Sequence, residues 1–328
     1  MKPRPSVLII QTAFIGDVVL ATALIESIQA QEPDATIDFL VRKGNEVLLE
    51  GHPKLRTVYV LDKQRKYQSL MELARTFRKI RYDCVINVQR FATTGLLTVM
   101  SGASITIGFE KNPFSRFFSR RIAHTIGEVH EVTRNLSLLA PLGIQSSSRP
   151  RLYPTPAHYE RVKPYQSGKY ITVSPASVWF TKQLPAAQWS EFLSSVSGCR
   201  VLLLGGPDDK SLCDEVVAKT SHGEVINLAG QLSLLESAAL MAGAAMNYVN
   251  DSAPLHLASA MNAPVTAVFC STLPDFGFGP LSDDSTVVQT EQRLECRPCG
   301  LHGHRNCPEG HFRCATTIRK EQLLATLR

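Results

Sequence analysis

Two kinds of apolar pattern alternate along the chain. The first is a short continuous run, such as Val7-Leu8-Ile9-Ile10. Similar runs cover residues 36–41, 57–61 and 83–88, then 170–174, 200–204, 224–227, 245–249 and 264–269. Runs this short, closed by polar or turn residues, predict strands buried on both faces. The second kind spaces its apolar residues three or four apart. Over 17–31 these are Leu20, Leu24, Ile25 and Ile28, and over 67–80 they are Leu70, Leu73, Ala74 and Phe77. That period predicts helices with one apolar face. Further helices are expected over 185–196, 208–219, 234–243 and 252–261. Strands separated by helices imply a parallel sheet, because a parallel crossover needs a connection long enough to cover the sheet.

The alternation breaks between residues 143 and 168, where Ser147, Ser148, Pro150, Pro154, Pro156 and Pro164 give linker composition. It then resumes. The reading is therefore α/β with two doubly wound domains, residues 1–150 and 151–328, facing a central cleft. A chain of 328 residues is long enough for two cores. No short-period repeat points to a solenoid.

Composition narrows the function. Apolar residues are 44% and charged residues 20%, which is globular rather than disordered. No apolar run reaches the length of a membrane span, and the opening Met-Lys-Pro-Arg-Pro does not read as a signal peptide, so a cytoplasmic protein is expected. The net charge is +6. Basic and aromatic residues are not interleaved in a nucleic-acid motif. The basic residues instead cluster at Lys63–Lys66, Arg78–Arg81 and Lys111–Arg121, which suggests an anionic partner or surface.

Four polar turns at strand ends carry the candidate chemistry. Gln11-Thr-Ala-Phe-Ile-Gly16-Asp17 follows the first strand. Gly16 permits close approach, and Asp17 at the following helix start is either a capping residue or a general base. Ser174-Pro-Ala-Ser177-Val-Trp-Phe-Thr181-Lys182 precedes a proline-initiated helix. Lys182, at the carboxyl end of a strand and beside Thr181, is either a contact for an anionic ligand or a solvated lysine, and Ser177 in the same loop is a further binding candidate. Asn250-Asp251-Ser252-Ala253-Pro254-Leu255-His256 pairs an aspartate with a helix start suited to phosphate, whereas a cap and a core histidine would be the structural alternative. Between the last two, Gly205-Gly206-Pro-Asp208-Asp209 offers carboxylates for ribose hydroxyls or for helix capping.

Two further segments raise separate possibilities. Cys296, Cys299, Cys307 and Cys314, with His302, His304 and His311 nearby, read as a structural zinc site, as free thiols or as disulfides. Residues 113–122 place Phe114, Phe117, Phe118 and Ile122 on one helical face with Arg116, Arg120 and Arg121 off it. That pattern is expected either as a basic amphipathic helix on an anionic membrane or as a helix packed on its own domain.

The runs Phe14-Ile-Gly16-Asp17, Phe180-Thr181-Lys182-Gln-Leu-Pro185 and Asn250–His256 occur in order along the chain. With Cys296-Arg-Pro-Cys299 through Cys314 at the end, the chain resembles the lipopolysaccharide heptosyltransferases, the ADP-heptose glycosyltransferases of family 9, and its tail resembles their heptosyltransferase II branch. The resemblance implies a GT-B fold of two Rossmann-like domains, with the acceptor on the N-terminal half and the nucleotide sugar on the C-terminal half. It implies inverting transfer that requires no metal cofactor, with Asp17 as general base and Lys182 on the diphosphate. Asp251 is then expected to hold the heptose, with Ser252, Ala253 and His256 around phosphates and sugar, Asp209 on the ribose and Leu232 near the adenine. Ala253 stands where the family's turn usually has glycine. The implied partners are ADP-heptose, an anionic Kdo–lipid A core acceptor and the inner-leaflet membrane surface. Other readings of the same residues are a GT-B transferase or epimerase using another nucleotide sugar, and a non-catalytic nucleotide-sugar-binding protein. A dinucleotide oxidoreductase is disfavoured because no G-x-G-x-x-G appears.

Overall fold

The computed structural model describes residues 5–125, 127, 129–145 and 147–327. The chain divides into two compact units, Met1–Tyr153 and Pro154–Arg328.

In the first unit the order is β1 (Ser6–Ile10), α1 (Ile15–Gln31), β2 (Thr36–Arg42), β3 (Leu55–Leu61), α2 (Lys66–Ile80), β4 (Cys84–Asn87), α3 (Ala92–Met100), β5 (Ile105–Phe109), β6 (Arg120–Ile122) and α4 (Glu131–Ser137). The strands form one sheet in the order β3-β2-β1-β4-β5-β6, and every neighbouring pair is parallel. The second unit runs α5 (Pro156–Val162), β7 (Tyr170–Ser174), α6 (Ala186–Ser195), β8 (Arg200–Leu203), α7 (Lys210–Lys219), β9 (Val225–Asn227), α8 (Leu234–Ala242), β10 (Met246–Asn250), α9 (Ala253–Ala260), β11 (Val265–Phe269), β12 (Ser285–Gln289), α10 (Arg313–Thr316) and α11 (Lys320–Leu324). Its sheet order is β12-β11-β10-β7-β8-β9, again all parallel. Read from the middle outwards, the two topologies are the same. In each, the first strand of the unit lies beside the fourth, and the connections leave to opposite sides.

Helices α1 and α2 show how burial follows pattern. In α2 only the stripe Ser69, Leu70, Leu73, Ala74 and Phe77 is buried, each large apolar member contributing roughly 2 kcal/mol. Basic residues Arg78 and Lys79 occupy its last turn, where they complement the helix dipole. Helix α1 is buried from Val18 through Ile25; α4 packs against it, and Arg151 N–H donates to Thr22 Oγ1 at 2.9 Å.

The amphipathic helix considered for residues 113–122 does not form. A single helical turn, Ser115–Phe117, leads directly into β6, which pairs with β5 through Ile107↔Arg120, Gly108↔Arg121 and Phe109↔Ile122. Phe118 is buried against Gly108, where an added Cβ would lie 2.6 Å from its ring. Phe117 faces out beneath the Arg116 guanidinium, 4.6 Å from its centroid. Strand pairing thus splits the apolar stripe that a helix would have kept together. Helix α5 lies inside the proline-rich stretch and starts on Pro156, whose fixed φ and missing N–H suit a first helical position. Among the described residues no helix is long and apolar enough to cross a membrane.

Candidate active site

In an open parallel sheet, ligands sit outside the carboxyl ends of the strands, where the connections diverge. That point lies between β7 and β10 in the second unit and between β1 and β4 in the first.

At the second unit's switch point, the loop after β7 carries Lys182 at the end of the turn Phe180–Lys182, and Asp251 directly follows β10. The Lys182 ammonium lies 2.7 Å from Asp251 Oδ2, with both side chains largely buried. The hydroxyl of Thr272, just beyond β11, donates to the same oxygen at 2.6 Å. Asn250 fixes the two strand ends together: its Oδ1 accepts from Leu184 N–H at 3.1 Å and its Nδ2 donates to Pro175 O at 2.7 Å. An ammonium has three donors. With one on Asp251, two remain for other oxygens.

The remaining donor-site candidates follow adjacent strands of this sheet. Ser252 is the residue before α9, and its hydroxyl makes no capping bond. Ala253 begins that helix, and His256 is buried in it with its ring 6.3 Å from Phe278. Ser177 is partly buried in the loop after β7 and accepts at its carbonyl from Gln183 Nε2. Asp209 follows β8 and accepts from Gly206 N–H at 2.8 Å, which rounds off the turn into α7. Leu232 is partly buried in the turn between β9 and α8. Thr181 differs from these. It is 1% exposed, and its hydroxyl accepts from His304 N–H at 2.7 Å and from the Ser271 hydroxyl at 3.1 Å.

In the first unit, Asp17 is half-buried in the first turn of α1 and accepts from Phe14 N–H at 3.1 Å. Burial pushes its pKa up to about 6, and the negative charge of Glu131 adds to this. The Phe14 N–H bond and the Arg90 guanidinium pull the other way without prevailing. Arg90 follows β4, on the far side of the switch point from α1. Glu131, at the start of α4, is itself paired with Arg134 at 2.7 Å. Arg90 and Glu131 also act on His124, a buried imidazole edge-on to Phe109 at 4.8 Å. Burial, chiefly, pulls the His124 pKa down. Beneath the turn, Gln89 Nε2 donates to Gln11 Oε1. Phe14 and Phe91 stand 64% and 67% exposed at the starts of α1 and α3, and Arg42 lies 4.9 Å from the Phe14 ring centroid.

The four C-terminal cysteines line one small enclosed cavity together with Thr181, Ser271, Arg297 and His311. No disulfide joins them, and Cys296 Sγ lies 3.8 Å from His311 Nε2. Burial pushes the Cys314 thiol up to about 11 and raises Cys299, with the neighbouring thiols adding to both. Among the described residues no three His, Cys, Asp or Glu side chains converge in a way that would hold a metal ion. The segment thus brings the four cysteines to one cavity without closing a metal site among the described residues.

Arg90, Glu131, His124 and Thr272 were not legible as site residues in the sequence. For Arg90 a signal existed, since it closes Asn87-Val-Gln-Arg90 at the end of a predicted strand. Thr272 likewise follows a predicted strand. Nothing local marks Glu131 or His124.

Comparison with known proteins bears on the fold and the family. Lipopolysaccharide heptosyltransferase 3 of Escherichia coli is 28% identical over 79% of this chain and 82% of its own length. The structure of E. coli ADP-heptose lipopolysaccharide heptosyltransferase II superposes with a TM-score of 0.82 at 21% identity, covering 98% of this chain and 97% of that one. The E. coli heptosyltransferase WaaC with ADP-2-deoxy-2-fluoro heptose gives 0.73 at 20% identity, covering 98% of each chain. The shared architecture is GT-B, two parallel six-stranded sheets flanked by helices. Residues 70–309, which include β4, the Lys182 loop, Asp251 and most of the cysteine segment, match glycosyltransferase family 9 (heptosyltransferase), and to that family of glycosyltransferases this chain belongs.

Proposed function

We propose that the protein transfers heptose from ADP-heptose to the phosphorylated inner core of lipopolysaccharide, with inversion at the anomeric carbon and Asp17 as general base. The observation that carries the reading is Asp17 itself. It is a half-buried carboxylate at a strand-end turn, with its pKa pushed up to about 6. A base is most effective when its pKa lies near the working pH and it is still ionised there.

The chemistry then balances in one displacement. The acceptor hydroxyl gives its proton to the Asp17 carboxylate as its oxygen bonds to the anomeric carbon. The bond from that carbon to the diphosphate breaks, and its electron pair leaves with ADP. Lys182 meets the charge that develops on the leaving group, while Asp251, itself held by the Thr272 hydroxyl, holds the ammonium in place. Asp251, Ser252, Ala253 and His256 bear on sugar and phosphates, and Asp209 and Leu232 bear on the nucleoside. Membership of family 9 and a relative solved with an ADP-heptose analogue support this donor. Relatives acting on lipopolysaccharide support this acceptor.

The same reading places the enzyme in the cytoplasm, at the inner leaflet where an anionic lipid-linked acceptor is presented. Lys63, Arg65, Lys66, Lys111, Arg116, Arg120 and Arg121 supply positive charge in the first unit, now without the membrane helix that residues 113–122 suggested.

A donor screen tests the proposal. ADP-heptose, UDP-sugars and GDP-sugars are each offered with Kdo–lipid A and with heptosyl-Kdo–lipid A, and products are read by mass. Addition of one heptose from ADP-heptose alone is expected. Transfer only from a UDP- or GDP-sugar, or no transfer to either acceptor, would refute it.

A further inference from the structure

We propose that the C-terminal segment 296–314 positions the donor anchor, and that Thr181 and Gly303 are the contacts through which it sets where Lys182 stands. The inference rests on the reading of Lys182 as the diphosphate contact.

The turn Phe180–Lys182 has no sheet partner of its own, so something else must fix it. Segment 296–314 supplies that support from behind. Thr181 N–H donates to His304 O at 3.1 Å, and His304 N–H donates to Thr181 Oγ1 at 2.7 Å. These two bonds dock one backbone on the other. Gly303, at φ +77°, packs directly on the turn. A Cβ there would lie 3.0 Å from Thr181 Oγ1, 3.2 Å from Lys182 Cγ and 3.3 Å from Trp179 Cβ. Only glycine combines that left-handed conformation with so close an approach.

On its other flank the segment grips the strand end that orients Asp251. Cys299 N–H donates to Ser271 O at 2.8 Å, and the Ser271 hydroxyl returns to Thr181 Oγ1 at 3.1 Å. The Arg297 guanidinium donates to Cys270 O at 2.7 Å, to Thr272 O at 2.9 Å and to Gln289 Oε1 at 2.8 Å. Thr272 in turn bonds Asp251, the partner of Lys182. One segment thus holds both members of the ion pair, Lys182 from its backbone side and Asp251 through Thr272.

The segment accepts strain to do so. Phe312 sits at φ +46°, unfavourable for a residue with a Cβ. In that conformation its ring lies 4.9 Å from Phe180, the first residue of the Lys182 turn. Strained backbone held in place by its surroundings is a recurrent mark of functional regions. Thr181 is therefore a positioning residue. Its hydroxyl is buried against the segment and acts on the donor only through Lys182.

The test uses the full chain, with ADP as probe in calorimetry and ADP-heptose in steady-state kinetics. Thr181→Val, Thr181→Ser and Gly303→Ala are compared with Lys182→Met, all well below their unfolding midpoints. Thr181→Val and Gly303→Ala are expected to weaken ADP binding by about tenfold, the size expected when a charge-assisted contact is misplaced. They should also raise the donor KM while leaving the acceptor KM unchanged. Thr181→Ser, which keeps the hydroxyl, is expected to bind within about twofold of wild type. Should Thr181→Val fail to fold, Gly303→Ala and Thr181→Ser carry the test. ADP binding within twofold of wild type for Thr181→Val and Gly303→Ala, with Lys182→Met impaired, would overturn the positioning role and leave the donor reading standing. Unchanged binding by Lys182→Met would overturn the donor reading, and the inference with it.

Discussion

The two units share one strand order, yet their switch points hold a carboxylate in opposite ways. Asp251 is buried with a lysine at 2.7 Å and a threonine hydroxyl at 2.6 Å. Asp17 has one backbone bond, a guanidinium in its neighbourhood and a second carboxylate, Glu131, acting against its charge. A paired carboxylate orients hydroxyls or cations. A partly desolvated one with a like charge beside it takes up a proton more readily. The same fold therefore sets one acid against a lysine and leaves the other partly desolvated beside a like charge, and the difference lies in what surrounds each acid.

The largest effect should come from removing the proposed base. Asp17→Asn is expected to cut turnover by about a thousandfold or more while ADP affinity, read by calorimetry, stays within twofold of wild type. Comparable turnover in the two proteins would erase the contrast between the units.

Breaking the pair in the second unit comes next. Lys182→Met is expected to weaken ADP binding by about 10–100-fold and to lower the unfolding midpoint, because Asp251 is left buried without its cation. Adding Asp251→Asn should restore stability but not ADP binding. If stability does not recover, the pair is not what holds this switch point together.

A smaller effect separates burial from charge at Asp17. Glu131→Gln removes a like charge, so the acid limb of the kcat/KM profile should move toward lower pH by a fraction of a unit. Arg90→Met removes a favourable charge and should move it toward neutrality. Shifts of reversed sign would mean that these groups do not act on Asp17 as described.

The smallest effect concerns stability. The folded pKa of Asp17 lies above the usual carboxylate value, so its ionised form disfavours the fold. That penalty is full above about pH 6 and absent below about pH 4. Asp17→Asn should therefore raise the unfolding midpoint at pH 8 by a few degrees, corresponding to about 1–3 kcal/mol, and the gain should vanish near pH 4. A midpoint unchanged at pH 8 would indicate an acid with an ordinary pKa.

What could be read from the sequence follows from how local each signal is. Val7 to Ile10 form an uninterrupted apolar run, and the turn to Gly16-Asp17 is contiguous with it, so both strand and candidate base were visible. Asn250-Asp251 after β10 was visible for the same reason. Strand β6 was not, because Phe114, Phe117, Phe118 and Ile122 also fit a helical period. Only pairing with β5 and the space above Gly108 decide against the helix. Arg90 reaches the neighbourhood of Asp17 because β4 lies beside β1, and Thr272 reaches Asp251 because β11 lies beside β10. Those adjacencies belong to sheet order, which no local period encodes. The role of Gly303 was hidden further still, since it depends on a contact with Thr181 across more than a hundred residues.

The most direct test of the central claim is the pH dependence of kcat/KM for the wild-type enzyme between pH 4.5 and about pH 8.5, which reports the ionisation of the free enzyme's base. The predicted profile falls about tenfold per unit below a pKa of about 6 and is level above it. A profile flat down to pH 4.5, or one whose limb lies near 4, would contradict a base raised by its surroundings.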